Sequence, residues 1–311
     1  MGSMVQFLYC RDDKPGKTES LRKIQGTGED GEMDGRKGME MTLDVLCQML
    51  EMPDEVSRAV IEYRERHDSI WDGELRELLG RRECWKQLIS RMKERIGEDR
   101  FGLGILTEML DYACGVYGEY QKAGIGDGVF VDTMKFCTRF VGEHKKAYGC
   151  YGFNQAWWFP RQLAMQEFRI GELEYEFVDD TGRRIDVHIP SDADMEPEQV
   201  QKSFGAFRAF MQTYYPSWQG APWYCDSWML SPVLEQLLPE TSKILRFQKL
   251  FEVESVNYEV MEVLDWVYPG ERKAGMDYSV LSERTSLQRN MKRFLMDGGK
   301  VGWAKGRLRE S

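Results

Sequence analysis

The chain has 311 residues, 42% hydrophobic, 12% aromatic and 30% charged, and 52 acidic against 42 basic side chains give it a formal net charge of −10. That length implies two folded units, the composition excludes global disorder, and the negative charge argues against binding to phosphate backbones. Seven scattered cysteines without a C-x-x-C pair argue against a disulfide framework and a zinc site; without a membrane-length apolar run or a signal core, a cytoplasmic protein with no metal is expected.

Residues 1–40 stand apart. Met1 to Met4 read as an expression scar or alternative start, and Arg11 to Gly38 carry too little apolar surface to offset chain entropy, which predicts disorder. Gly26, Gly28 and Gly31 match the spacing G-x-G-x-x-G, but no strand precedes and no helix follows, so the match is read as chance. From Thr42 to Gly149 the spacing is helical, in groups such as Val56, Val60 and Tyr63, or Leu88, Ile89, Met92 and Ile96. Gly97, Gly124 and Gly149 punctuate these groups, which predicts about five packed helices over 41–150, with His67 and His144 on the surface.

The period changes after Trp157, Trp158 and Phe159, three rings expected at an apolar interface between the two units. Leu173, Tyr175 and Phe177 alternate with Glu172, Glu174 and Glu176, the pattern of a strand with one wet face. Phe168 and Ile170 lie in the opposite phase across Gly171, which a glycine bulge would reconcile. Asp179 to Gly182 read as a turn, and Ile185, Val187 and Ile189 as the returning strand of a hairpin. An amphipathic helix begins near Pro197 and buries Val200, Phe204, Phe207, Met211 and Tyr214. Trp223 to Asp226 read as a short strand, Ser231-Pro232 as a helix start, Ile244 to Val253 and Val260 to Tyr268 as strands, and Leu287, Met291 and Phe294 as a last helix. The cluster of Lys292, Arg293, Lys300, Lys305, Arg307 and Arg309 reads as a solvated basic tail.

The segments Val187-His188-Ile189-Pro190-Ser191, Tyr224-Cys225-Asp226-Ser227-Trp228-Met229-Leu230, Ile244-Leu245-Arg246-Phe247-Gln248 and Thr285-Ser286-Leu287-Gln288-Arg289 resemble a bacterial family of N-acyltransferases that joins a helical N-terminal domain to a GNAT-like C-terminal domain. The resemblance covers the chain after Met41. It implies an α+β protein: an all-α domain over 41–150, then a GNAT-like α/β domain over 151–311 with a central mixed, mostly antiparallel sheet. It also implies acyl-CoA in the gap between two splayed strands, here Arg184 to Ile189 and Trp223 to Asp226, and an amine acceptor on a small molecule or peptide. The loop that holds pyrophosphate in GNAT enzymes reads Ser191-Asp192-Ala193-Asp194-Met195-Glu196-Pro197 here, with three carboxylates, so the alternative is a non-catalytic ligand-binding or interaction module.

Transfer to an amine needs a base, an oxyanion donor and an acid for the leaving thiolate. Asp186 and His188 share a strand face and are the candidate bases. Tyr224 and Cys225 are candidates for the acid, and Asp226 for a residue that orients His188. Through the resemblance, Ile189, Ser191, Ser203 and Ser227 are expected at the cofactor, and Trp157, Arg161, Arg246 and Gln248 at the acceptor, with Arg246 and Gln248 on one strand face where they could also pair with Glu174.

Overall fold

The computed structural model describes residues 41–273 and 275–309. The expected disordered segment lies outside them.

The first half is helical. In chain order it comprises α1 (Leu43–Met49), α2 (Asp54–Arg66), α3 (Gly73–Leu79), a 3-10 turn at Arg82–Cys84, α4 (Trp85–Ile96), α5 (Leu103–Ala123), α6 (Asp127–Met134), α7 (Phe136–Tyr148) and the single turn α8 (Pro160–Leu163). The sequence pattern suggested fewer helices because α1 and α3 have only seven residues each, too few for a helical period to repeat. Both begin at side-chain caps: Thr42 accepts from the Val45 amide and Asp72 from the Leu75 amide. Gly97, Gly124 and Gly149 end their helices at positive φ, as their spacing predicted.

Gly102 is constrained more tightly. It sits at φ +71° before α5, and a Cβ there would lie 2.0 Å from the Phe153 carbonyl oxygen, in the segment that leads into the second half. Gly102→Ala combines a left-handed strain with a backbone collision, so it should cost well over about 1 kcal/mol and lower the melting temperature by several degrees. A scan superimposing on wild type would refute this.

The second half contains β1 (Glu167–Ile170), β2 (Leu173–Asp179), β3 (Arg183–His188), α9 (Pro197–Tyr214), β4 (Trp223–Ser227), α10 (Leu234–Leu237), α11 (Lys243–Gln248), β5 (Phe251–Asn257), α12 (Val263–Val267), α13 (Ser286–Met296) and β6 (Trp303–Leu308). The six strands form one sheet in the order β1-β2-β3-β4-β6-β5. Only the β3–β4 contact is parallel, and it joins just Ile185 to Trp223 and Asp186 to Tyr224 before the strands part. The expected splay is therefore present, between the expected strands.

Four expectations are corrected. Ile170 pairs with Leu173, so Gly171 at φ +65° and Glu172 make a two-residue turn, and the phase change marks a hairpin in place of a bulge. Ile244 to Gln248 belong to helix α11, with β5 starting only at Phe251, and Val263 to Val267 are helical. Both segments are short apolar runs, for which periodicity cannot separate a buried helix from a strand. The basic cluster is no tail: Lys305 and Arg307 lie on β6, between β4 and β5, while Lys292 pairs with Glu283 and Lys300 with Glu259. Finally, the glutamate face of β2 is dry, and this correction leads to the site.

Candidate active site

Alternation in β2 and β3 sends Tyr175, Phe177, Ile185 and Val187 toward α9, where Tyr175 stacks on Phe207 at 3.9 Å between ring centres. The opposite face carries Glu167, Glu174, Glu176 and His188. A solvent-covered face would leave those glutamates exposed, yet Glu167, Glu174 and Glu176 are only 0%, 5% and 2% exposed. The helical half lies over them. Among the rings at the junction, Phe159 is buried and stacks on Phe136 at 5.5 Å, Trp158 reaches into the charged cluster, and Trp157 remains 54% exposed.

Buried charges need partners, and three arginines from the covering segments supply them. Arg139 of α7 donates to Glu174 at 2.8 Å. Arg82 of the 3-10 turn and Arg161 of α8 lie 2.6 and 2.8 Å from one oxygen of Glu176. The other oxygen of Glu176 is 2.9 Å from His188 Nε2, while Glu167 stands 3.7 Å from the same nitrogen. Trp158 packs edge-on against His188 at 4.8 Å, stacks under the Arg161 guanidinium at 4.1 Å, and donates its indole N–H to Glu167 at 3.1 Å. Gln162 is hydrogen-bonded to Glu167 at 2.5 Å.

These contacts decide the charges. Burial pulls the His188 imidazole down, but the hydrogen bond to Glu176 and the charges of Glu167 and Glu176 outweigh it and raise its pKa to about 9. Burial pushes Glu176 upward as well, yet the bond from His188 and the guanidinium groups of Arg161 and Arg82 hold it below the usual carboxylate range. Glu167, buried with no guanidinium at ion-pair distance among the described residues, is pushed well above that range.

Ligand atoms of Glu167, Glu176 and His188 lie within 4.8 Å of one another, a spacing a cation could use. The donors already present fit it poorly. Glu176 would have to release two guanidinium groups, and Glu167 its indole and amide partners.

His188 closes β3 where pairing with β4 has ceased. Its Nε2 is turned to Glu176, and among the described residues no hydrogen bond engages Nδ1. The expected orienting residue was Asp226; Glu176, on the strand beside His188, has that contact instead. Asp226 lies exposed on β4 opposite Lys305, close enough to Asp186 and His188 for their charges to act on it. Asp186 shares the face of His188 but accepts from Arg184 at 3.0 Å. Tyr224 is half-buried on β4 under the Lys305 ammonium, 4.8 Å from its ring. Cys225 points to the α9 side, 1% exposed, and burial pushes its thiol far up, so it is a core residue there.

Of the residues expected at the cofactor, Ile189 follows β3 at the splay, Ser191 donates to Glu143, and the Ser227 hydroxyl caps the Met229 amide at 3.1 Å. Ser203 is displaced from that role. It is 2% exposed, and its hydroxyl is engaged by Tyr175, the Leu173 amide and the Ile170 carbonyl. Arg161 is inside the cluster. Arg246 and Gln248 are not: on α11 they share no strand face, Arg246 is exposed, Gln248 donates to the Ser231 carbonyl at 2.7 Å, and the partner of Glu174 is Arg139. The loop acids are neutralised locally, Asp192 by Arg169 at 2.8 Å, and Asp194 and Glu196 by Lys243 at 3.2 and 2.9 Å.

Comparison with solved structures shows the same fold in an acyltransferase in complex with decanoyl-CoA and teicoplanin, 22% identical over 85% of this chain and 86% of that one, with a TM-score of 0.65. An acyltransferase in complex with CoA and 10C-teicoplanin gives 22%, the same coverage and 0.66. A mutant acyltransferase in complex with octanoyl-CoA gives 21%, 86% and 87% coverage, and 0.66. Comparison with curated proteins gave no match. Residues 41–165 match the N-acyltransferase N-terminal domain and residues 167–308 the GNAT-like C-terminal domain. The two matches follow one another along nearly the whole described chain, which belongs to the N-acyltransferases that join this helical domain to a GNAT-like one.

Proposed function

We propose that the protein transfers an acyl group from acyl-CoA to the amine of a small-molecule or peptide acceptor, with His188 as the base. One observation carries this reading: the imidazole stands at the mouth of the splay between β3 and β4, with Nε2 fixed by Glu176 and Nδ1 left for a substrate. In each turnover the Nδ1 lone pair takes the proton of the attacking amine, the amine nitrogen bonds to the thioester carbonyl carbon, and the C–S bond breaks. Tyr224, on the facing strand, is placed to give a proton to the departing thiolate. Backbone N–H groups beyond the last β3–β4 pair supply donors for the developing oxyanion. Ile189, Ser191 and Ser227 flank that gap as candidate cofactor contacts.

The helical residues 41–150 cover the sheet and supply the acceptor side, with Trp157 at its rim and Arg161 beneath; residues 151–311 carry the chemistry. The relatives in complex with teicoplanin support an acceptor of that kind, an amine on a glycopeptide-sized small molecule. Among the described residues no helix is long and apolar enough to cross a membrane, in keeping with a cytoplasmic enzyme.

Native mass spectrometry with octanoyl-CoA and decanoyl-CoA, followed by an acyl-transfer assay against a panel of amines, tests the reading. Binding with amine-dependent release of CoA is the expected result. Binding without release under any amine would favour a ligand-binding module, and absence of both would reject the proposal.

A further inference from the structure

Two carboxylates converge on one imidazole nitrogen, and their surroundings differ. Glu176 has the guanidinium groups of Arg82 and Arg161 at 2.6 and 2.8 Å. Glu167 is fully buried, and its short contacts other than His188 are neutral groups: the Trp158 indole N–H at 3.1 Å and the Gln162 amide at 2.5 Å. The Gln162 side chain is 1% exposed, and its Oε1 is left without a donor. Which end of an amide is oxygen is set by the hydrogen-bond network, and reversing this one would let a protonated Glu167 donate to Gln162 Oε1.

We propose that the two glutamates behind His188 are differentiated, with Glu176 carrying the negative charge that orients the imidazole and Glu167 held as a neutral carboxylic acid. This deepens the assignment of His188 as the base and rests on it only for its catalytic meaning. Glu167 is out of reach of substrate and acts through His188 as a positioning residue. Its proton leaves a single anionic partner at Nε2, which fixes the N–H on that nitrogen and the lone pair on Nδ1. Two anions there, in a pocket already ringed by Glu174 on β2, Asp186 on β3 and Asp226 on β4, would instead bind the protonated imidazolium and suppress the base. Arg82 and Arg161 face Glu176 from the helical side and cannot relieve Glu167 without leaving it.

The chain has three histidines, so the imidazole of His188 can be followed by 15N NMR of histidine-labelled protein, with His67 and His144 as internal references. In wild type, the His188 nitrogens should titrate in two steps as Glu167 and the imidazole each lose a proton. In Glu167→Gln, which retains the shape of the neutral acid, they should titrate in one step that lies lower. Turnover of Glu167→Gln at pH 7 should rise, because more of the imidazole is then unprotonated, whereas Glu176→Gln should lose about 100-fold or more. Glu167→Leu removes the hydrogen bonds along with the proton and should lower turnover, separating loss of contact from loss of charge. A Glu167→Gln titration identical to wild type, or a loss of turnover equal to that of Glu176→Gln, would overturn the proposal. Because the titration needs no substrate, it decides the state of Glu167 even if His188→Gln proves fully active and the assignment of the base fails.

Discussion

His188→Gln should slow acyl transfer by roughly 100-fold or more while the Kd for acyl-CoA, measured by calorimetry, stays within about twofold of wild type. The substituted amide can still donate to Glu176, so the cluster should hold its shape, and what disappears is the lone pair that accepts the amine proton. Loss of binding together with loss of turnover would point to a damaged site, and full activity would remove His188 from the chemistry. The pH profile gives an independent reading. With the imidazole raised, against its burial, by the hydrogen bond to the Glu176 carboxylate, kcat/KM should go on climbing well above about pH 6.5, where an isolated imidazole would level off.

The same shift has a stability consequence of the opposite slope. A histidine whose pKa is higher folded than unfolded contributes stability that is complete below about pH 6.5 and fades as pH rises through about 9. The enzyme should therefore gain turnover and lose melting temperature over the same alkaline range. Glu176, held low, behaves conversely: its contribution is present above the ordinary glutamate pKa of about 4.3 and is lost as the solution becomes more acidic.

The strand pairings around the splay were legible because β2, β3 and β4 alternate cleanly and are bounded by turn residues. His188 was legible as a candidate because a period of two placed it beside Asp186. Glu176, Glu167, Arg82 and Trp158 were not. An alternation of Leu, Tyr and Phe with Glu looks identical whether the glutamate face meets water or a second domain, and only the three-dimensional placement of α7, α8 and the turn at Arg82 distinguishes the two. One signal was available: that face of β2 passes through Glu174 and Glu176 to Val178, and its neighbour on β3 carries Arg184, Asp186 and His188, so charge of both signs is gathered on adjacent strands. The short segments after Gln236 failed for another reason. Runs such as Ile244 to Phe247 are apolar in both periods, and tertiary packing of the second core, around Leu234, Leu264, Tyr268 and Met291, sets their conformation.

How tightly the helical half is held to the sheet is tested by Arg139. Its guanidinium reaches from α7 to Glu174, with both side chains under a tenth exposed, and it lies over the rings of Phe136 and Phe140 at 5.6 and 5.2 Å. Arg139→Met should keep much of the packing on those rings but strand a buried carboxylate, a loss of about 3–5 kcal/mol. For a chain of this size that corresponds to a fall of roughly 10 °C in melting temperature at pH 7. Adding Glu174→Leu removes the stranded charge, so the double variant should recover most of the loss, because a buried ion pair contributes little beyond an apolar pair of similar volume. Recovery would show that Arg139 is required chiefly because Glu174 is buried. A single variant that melts within 2 °C of wild type, about the shift expected for a change below 1 kcal/mol, would mean that water reaches Glu174 and that the helical half does not seal the charged face on which His188 stands.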